Sequence, residues 1–290
     1  MPVVAGGSLS WTNVASVTVT GSGSTDSPGS GVTGYQYRTS TNAGTTWSAA
    51  VTGTSIGITA AGTTLVQFRA TDGSGQTSAW APATATAGST VHIDRTLPTA
   101  ATVTGGSPTW RNAASTTISA GGSTDAGGAG LSGYQYRTST NGGTSWSAAA
   151  TGAAPAITAE GETLVQYRSI DGAGNVSAWT PSTGGAGNTV RLDRSAPTEP
   201  AVTGGSLTCA AQRTIKGGSS SDGSGSGVNH YEYRISTDNG VTYGTGVSGA
   251  SITLNVAGSY VLQFRAVDGV GLTSAWAPAS PGAANTACIT

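Results

Sequence analysis

Hydrophobic and polar residues alternate along this chain in short bursts, each ended by small or turn-forming residues. SVTVTG (Ser16 to Gly21) sets Val17 and Val19 on one side and threonines on the other. That period of two predicts a half-buried strand. The Gly-, Ser-, Asp- and Pro-rich run GSGSTDSPGSG then stops it. VTGYQYRTS (Val32 to Ser40) predicts a second strand, with Tyr35 and Tyr37 on one face and Gln36 and Arg38 on the other. Asn42-Ala43-Gly44 predicts a hairpin turn, because Asn and Gly tolerate positive φ. SIGIT (Ser55 to Thr59) is a short strand. TTLVQFRATDGSG is the strongest one: Val66, Phe68 and Ala70 face one way, Leu65, Gln67 and Arg69 the other. STVHIDR is the last strand, and TLPT ends it. No segment sustains a helical period. Short strands at this density predict an antiparallel β-sandwich. Its core in this part of the chain would hold Val17, Val19, Tyr35, Tyr37, Ile58, Val66, Phe68, Val91 and Ile93.

The pattern is then written twice more. YQYRTSTNAGTTWSAA at Tyr35 returns as YQYRTSTNGGTSWSAA at Tyr134 and as YEYRISTDNGVTYGTG at Tyr231. Asp26 recurs as Asp125 and Asp222, and Trp80 as Trp179 and Trp276. Units of about 100 residues are sandwich-sized, well above the roughly 20 to 50 residues of solenoid repeats. The expected architecture is all-β: three tandem immunoglobulin-like antiparallel sandwiches, residues 1–97, 98–196 and 197–290, in an extended rod. DRTLPT and DRSAPT link them, and proline makes each linker stiffer than a Gly-Ser tether.

FRATDGSGQTSAWAP and YRSIDGAGNVSAWTP, followed by VHIDRTLPT and VRLDRSAPT, resemble the bacterial immunoglobulin-like repeats of large extracellular, adhesin-type proteins. VTGYQYRTSTNAGTTWS is similar to the third strand and hairpin of bacterial fibronectin type III domains. The tryptophan usual on the second strand of those domains is missing from VTVT and TTIS, which favours the immunoglobulin-like label. The resemblance implies a fold and an extracellular or cell-surface setting, and is weak for any single function.

Composition adds little chemistry. Charged residues are 9 % of the chain, net charge is −1, and there are 46 Gly, seven Trp and nine Tyr. A surface of Ser, Thr, Gly and Asn is typical of secreted β proteins. Without a basic patch the chain has no electrostatic footprint for nucleic acid. No apolar run reaches the roughly 18 to 20 residues that cross a bilayer, so no membrane insertion is expected of this fragment. MPVVAGGSLS lacks the basic and apolar regions of a signal peptide and reads as an internal start. A monomeric rod, or part of a longer chain, is expected. The third unit, lacking a further DR…P phrase, reads as a terminal cap.

Four sets of residues could carry function. Arg38, Trp47, Arg69 and Trp80 form the first, with Arg137, Trp146, Arg168 and Trp179, then Arg234, Arg265 and Trp276, as their copies; Tyr243 replaces the hairpin Trp in the third unit. These read as a cation–π ladder bracing the sheet, as in the Trp-Arg ladders of cytokine-receptor fibronectin domains, or alternatively as an aromatic platform for a glycan. Aspartates form the second set: Asp26, Asp125 and Asp222 in the Gly-Ser loops, Asp72, Asp171 and Asp268 in DG turns, Asp94 and Asp193 in the linkers. Linker and loop carboxylates meeting between units could supply oxygen ligands for calcium, the one cofactor to consider; calcium at such junctions is also what the adhesin resemblance implies. Asx turns and hairpins explain the same aspartates without a metal, and Arg95 and Arg194 are placed to pair with carboxylates. Cys209 and Cys288 stand near the two ends of the third unit, opposite Trp11/Trp110 and His92/Arg191 of the others. A disulfide is expected, worth about 4 kcal/mol by loop entropy and suited to an oxidising compartment; two free thiols are the alternative. Finally, His92 and His230 lie in different units and read as strand residues, so no catalytic set emerges. Only Lys216 could enter an isopeptide bond. The expected function is a non-catalytic extracellular stalk, structural or adhesive, with a cell-surface protein or glycan as its partner. The alternative is a carbohydrate-binding module array of a secreted hydrolase or phage fibre.

Overall fold

The computed structural model describes residues 1–290. The first unit contains β1 (Val3–Ala5), β2 (Trp11–Thr12), β3 (Val17–Ser22), β4 (Val32–Ser40), β5 (Val51–Thr52), β6 (Ser55–Ile58), β7 (Gly62–Asp72) and β8 (Thr90–Ile93). One sheet runs β1-β3-β6, and the other β2-β8-β7-β4-β5. Between them Val19, Ile58, Val66, Phe68, Val91 and Ile93 are buried, with Val4, Val17, Tyr35, Tyr37 and Ile56 packed alongside. The alternating residues of β4 and β7 therefore face as their period requires. Each fully buried side chain such as Phe68 contributes about 1.5 to 3 kcal/mol by leaving water.

The third unit repeats this plan, with sheets Ala201–Thr203, Arg213–Gly218, Ser251–Leu254 and Ser206–Ala210, Thr286–Ile289, Gly258–Asp268, Val228–Ser236, Val247–Ser248. The second unit keeps the larger sheet (Ala150–Thr151, Leu131–Ser139, Gly161–Asp171, Thr189–Leu192) but splits the smaller one at Ile118. The register places Pro155 opposite Ile118, because Thr116 pairs with Ile157 and Thr117 with Ala156. Proline has no N–H to give. The hydroxyl of Tyr167 donates to the Ile118 carbonyl instead, at 2.6 Å inside the core. Phe68 and Phe264 occupy this place in the other units, where Ile56 and Ile252 stand opposite the strand.

One expectation needs correction. The sandwiches are not wholly antiparallel, since β2 pairs with β8 in parallel, as Ser206–Ala210 does with Thr286–Ile289. In the second unit this pairing shrinks to a parallel bridge from Arg111 to Leu192. The cause is a break at Gly6-Gly7 that passes the chain from one sheet to the other. Gly6 has φ of 104°, and a Cβ on Gly7 would lie 2.4 Å from the Thr90 carbonyl oxygen. Only glycine fits this crossing, and Gly-Gly-Ser recurs at Gly105 and Gly204.

Candidate functional site

The larger sheet carries the arginine–tryptophan set on its outer face. β4 and β7 pair Gln36 with Arg69 and Arg38 with Gln67, which brings both guanidinium groups to one surface. Arg38 lies 4.7 Å from the Trp47 ring and 4.5 Å from the Trp80 ring, and Arg69 covers Trp80 at 4.6 Å. Arg38 donates twice to Gln67 Oε1, and Arg69 donates to Gln36 Oε1. Burial, and then the neighbouring Arg69, hold the Arg38 guanidinium below its usual pKa. Arg137, Trp146, Arg168 and Trp179 repeat the stack at 4.5 to 4.8 Å. In the third unit Tyr243, Arg234, Trp276 and Arg265 repeat it at 4.6 Å, with Glu232 binding Arg265 at 2.6 Å. The central indole is thus covered by arginine on both sides. A sugar stacks on an open aromatic face, and Trp80, Trp179 and Trp276 do not offer one.

At the edge of the same sheet, one position across the parallel strands holds three different links. Trp11 stacks on His92 with ring centroids 4.8 Å apart, and Arg191 lies 5.9 Å from the Trp110 ring. Cys209 and Cys288 form a disulfide. In each unit the pair fastens the entering strand to the leaving one.

The joints between units bring the aspartates together. Asp94 leaves the first unit and is fully buried against the second. Its Oδ2 accepts from the Ala129 N–H at 3.0 Å, and its backbone carbonyl accepts from Asn175 Nδ2 at 2.9 Å. Trp11 lies against Gly128, where a Cβ would come 2.8 Å from the indole. At the second joint Asp193 is equally buried and accepts from the Ser226 N–H at 2.7 Å. Two triads result: Asp94 with Asp125 and Asp171, and Asp193 with Asp222 and Asp268, with one oxygen from each aspartate lying within 4.8 Å of the others.

The expected calcium set is therefore regrouped. Asp94, Asp125 and Asp171 meet at one joint. Asp193 meets Asp222 and Asp268 at the other. Asp26 and Asp72 line a cleft of about 190 Å³ on the first unit with no linker aspartate between them. The Asx turns are present too, with Asp72 Oδ1 accepting from the Ser74 N–H and Asp125 Oδ1 from the Gly127 N–H. Arg95 and Arg194 do not pair with the triads. Arg95 donates to the carbonyls of Val14, Ala15 and Thr59. Arg194 donates to those of Ala114 and Thr158 and lies 3.9 Å from Glu160. Each arginine thus turns back onto the unit it leaves. His92 bonds Thr63 Oγ1, and His230 lies 3.8 Å from Glu232 in another unit.

Two facing sheets, a shared core in each unit and a first strand that crosses from one sheet to the other decide the fold. The three units are immunoglobulin-like β-sandwiches. No family model matches the chain. It is 35 % identical over 251 residues to exoglucanase B of Cellulomonas fimi, an alignment covering 84 % of this chain and 22 % of that protein. The chain thus spans about a fifth of the length of that relative. Among solved structures it is similar to the chicken CNTN1 FN1-FN3 domains, at 14 % identity over 96 % of this chain and 95 % of that one, with a TM-score of 0.29. It is also similar to fibronectin(III)-like modules of Clostridium thermocellum CbhA, at 14 % identity over 66 % of this chain and 93 % of that one, with a TM-score of 0.32. The topology inside each immunoglobulin-like unit, not these superpositions, carries the fold assignment.

Proposed function

We propose that the chain is a non-catalytic stalk of an extracellular protein, three immunoglobulin-like units joined stiffly in series to hold other parts at a distance. The observation that carries this reading is the joint. Asp94 and Asp193 are buried in the following unit and hydrogen-bonded to its loop in the same way at both places. A flexible linker would leave such a carboxylate in water. The disulfide supports an oxidising compartment. The likeness to exoglucanase B supports a multi-part secreted hydrolase as the kind of protein that carries such a stalk. Small-angle scattering tests it. The chain should be extended, with a maximum dimension of about 110 to 130 Å for three units of ~40 Å each. Replacing Asp94→Ala and Asp193→Ala together should broaden the distance distribution. A compact profile, or one that ignores both substitutions, overturns the reading.

A further inference from the structure

Both joints seat the linker through the same contacts. The linker aspartate accepts from a loop N–H of the following unit, that of Ala129 for Asp94 and that of Ser226 for Asp193. The threonine that ends each linker then pairs with the same loop in both directions. Thr99 N–H donates to the Thr124 carbonyl at 2.8 Å, and Thr124 N–H donates to Thr99 Oγ1 at 2.7 Å. Thr198 and Ser221 repeat both bonds at 2.8 Å. At the first joint Asn175 Nδ2 adds a bond to the Asp94 carbonyl. The receiving groups are thus mainly backbone ones, presented by one loop.

The first unit builds the same loop. Asp26 Oδ2 accepts from the Gly31 N–H at 3.0 Å, as Asp125 does from Gly130 and Asp222 from Gly227. Gly73 N–H donates to the Gly31 carbonyl, as Gly172 and Gly269 donate to those of Gly130 and Gly227. Thr25 stands where Thr124 and Ser221 do, and Ser30 where Ala129 and Ser226 do. Yet the Thr25 N–H, the Thr25 carbonyl and the Ser30 N–H make no hydrogen bond within the chain. Thr25 lines the cleft of about 190 Å³ together with Gln76, the counterpart of Asn175, and Met1. Counted back from the Gly-Gly-Ser crossings, Met1 matches Ala100 and Glu199, which follow the docked threonines. Backbone donors and acceptors held ready in this way recognise an extended segment through its main chain.

We propose that this cleft is a docking socket for the linker of a further unit of the same kind, joined in series. Its occupant is an extended Asp-Arg-x-x-Pro-Thr segment whose carboxylate accepts from the Ser30 N–H and whose threonine pairs with Thr25. Gln76 carries the amide that, in Asn175, reaches the linker carbonyl. Both joints favour a segment continuous with this chain, because each docked threonine runs on into a first strand that starts at Thr102 or Ala201. The arginine of the segment adds nothing to the socket, since Arg95 and Arg194 bind the unit they leave. Selection lies instead in the spacing of aspartate and threonine, held by the proline between them. The inference rests on the joints being the working parts of the stalk, and it gives the first unit the receiving half of another one.

Hydrogen exchange read by NMR on a lengthened chain tests it. Residues 98–198 placed directly before Met1 of the full chain repeat the spacing of the two joints. In that chain the Thr25 and Ser30 amides should exchange at least about tenfold more slowly than in the wild type. Asp193→Ala in the added copy alone should return Ser30 to the wild-type rate and leave Thr25 slowed. Equal rates in the wild-type and lengthened chains overturn the proposal, as does a Ser30 rate that ignores Asp193→Ala. Protection in the wild type that grows with protein concentration also overturns it, because a second copy would then fill the cleft. If the added unit does not fold, residues 193–198 alone before Met1 decide by the same two amides. A wild-type chain that is extended in scattering, with Ser30 still fast in the lengthened chain, sinks this inference and leaves the stalk reading standing.

Discussion

The disulfide invites a quantitative test, because the other two units supply its non-covalent counterparts. Cys209→Ser with Cys288→Ser removes the bond and changes little else. Both side chains lie at the sheet edge, and the strand pair keeps the Thr290 N–H to Ala210 carbonyl bond of 3.1 Å. The cystine spans a sequence separation of 79 residues. Loop-closure entropy for a ring of that size comes to about 4 kcal/mol, acting on the unfolded third unit. The Trp11–His92 stack in the same place is worth about 1 kcal/mol. Local stability of ~4 kcal/mol corresponds to a thousandfold change in amide protection. Hydrogen exchange read by peptide should therefore show Gly258–Asp268 losing about three decades of protection in the double variant. Gly62–Asp72 and Gly161–Asp171 should hold theirs. A loss below tenfold would mean that the bond only replaces a stack. Equal losses in all three strands would mean that the units do not unfold separately.

Two further outcomes follow from single residues. Tyr167→Phe should destabilise the second unit by about 1 to 3 kcal/mol, since it orphans the buried Ile118 carbonyl; adding Pro155→Ile should restore most of that in urea unfolding, and a harmless Tyr167→Phe would refute the coupling. At the hairpin of the third unit, hydrogen bonds from Ser236 and Thr242 hold the Asp238 carboxyl down at about 2, from 3.8. A depressed carboxylate stabilises above its unfolded pKa and is lost as pH falls through the folded one. The Thr242 amide should therefore loosen between pH 3.8 and about 2 in NMR titration, while Thr46 and Ser145, held by Asn42 and Asn141, should not respond.

Much of the fold could be read without coordinates. The VTGYQYRTS strand lies at Val32–Ser40 as expected, and nine core residues named from alternation all contribute to the first core. Alternation works because a strand's two faces meet different solvents within a few residues. The signal failed at Val3–Ala5 and Trp11–Thr12, which are too short to alternate and are ordered by pairing with distant strands. The ladder was legible as a set of residues. That arginines cover both faces of Trp80 was not, because it depends on the register between β4 and β7. Asp222 and Asp268 were visible as repeats, but their meeting with Asp193 needed the second joint to be in place.

By itself, then, the sequence determined what is local: strand faces, turns, the threefold repeat and the pairs of residues that could link strand edges. Backbone sterics and the burial of alternate side chains act over a few residues, so they leave their mark in order along the chain. Tertiary structure decided what depends on contacts across tens of residues. It set the parallel edge strand, the closure of Cys209 on Cys288, the exclusion of Arg95 and Arg194 from the joints, and the meeting of aspartates from adjoining units. At the first joint a single amide, Asn175, donates to both the Asp94 carbonyl and Asp171 Oδ2 only once two units have docked.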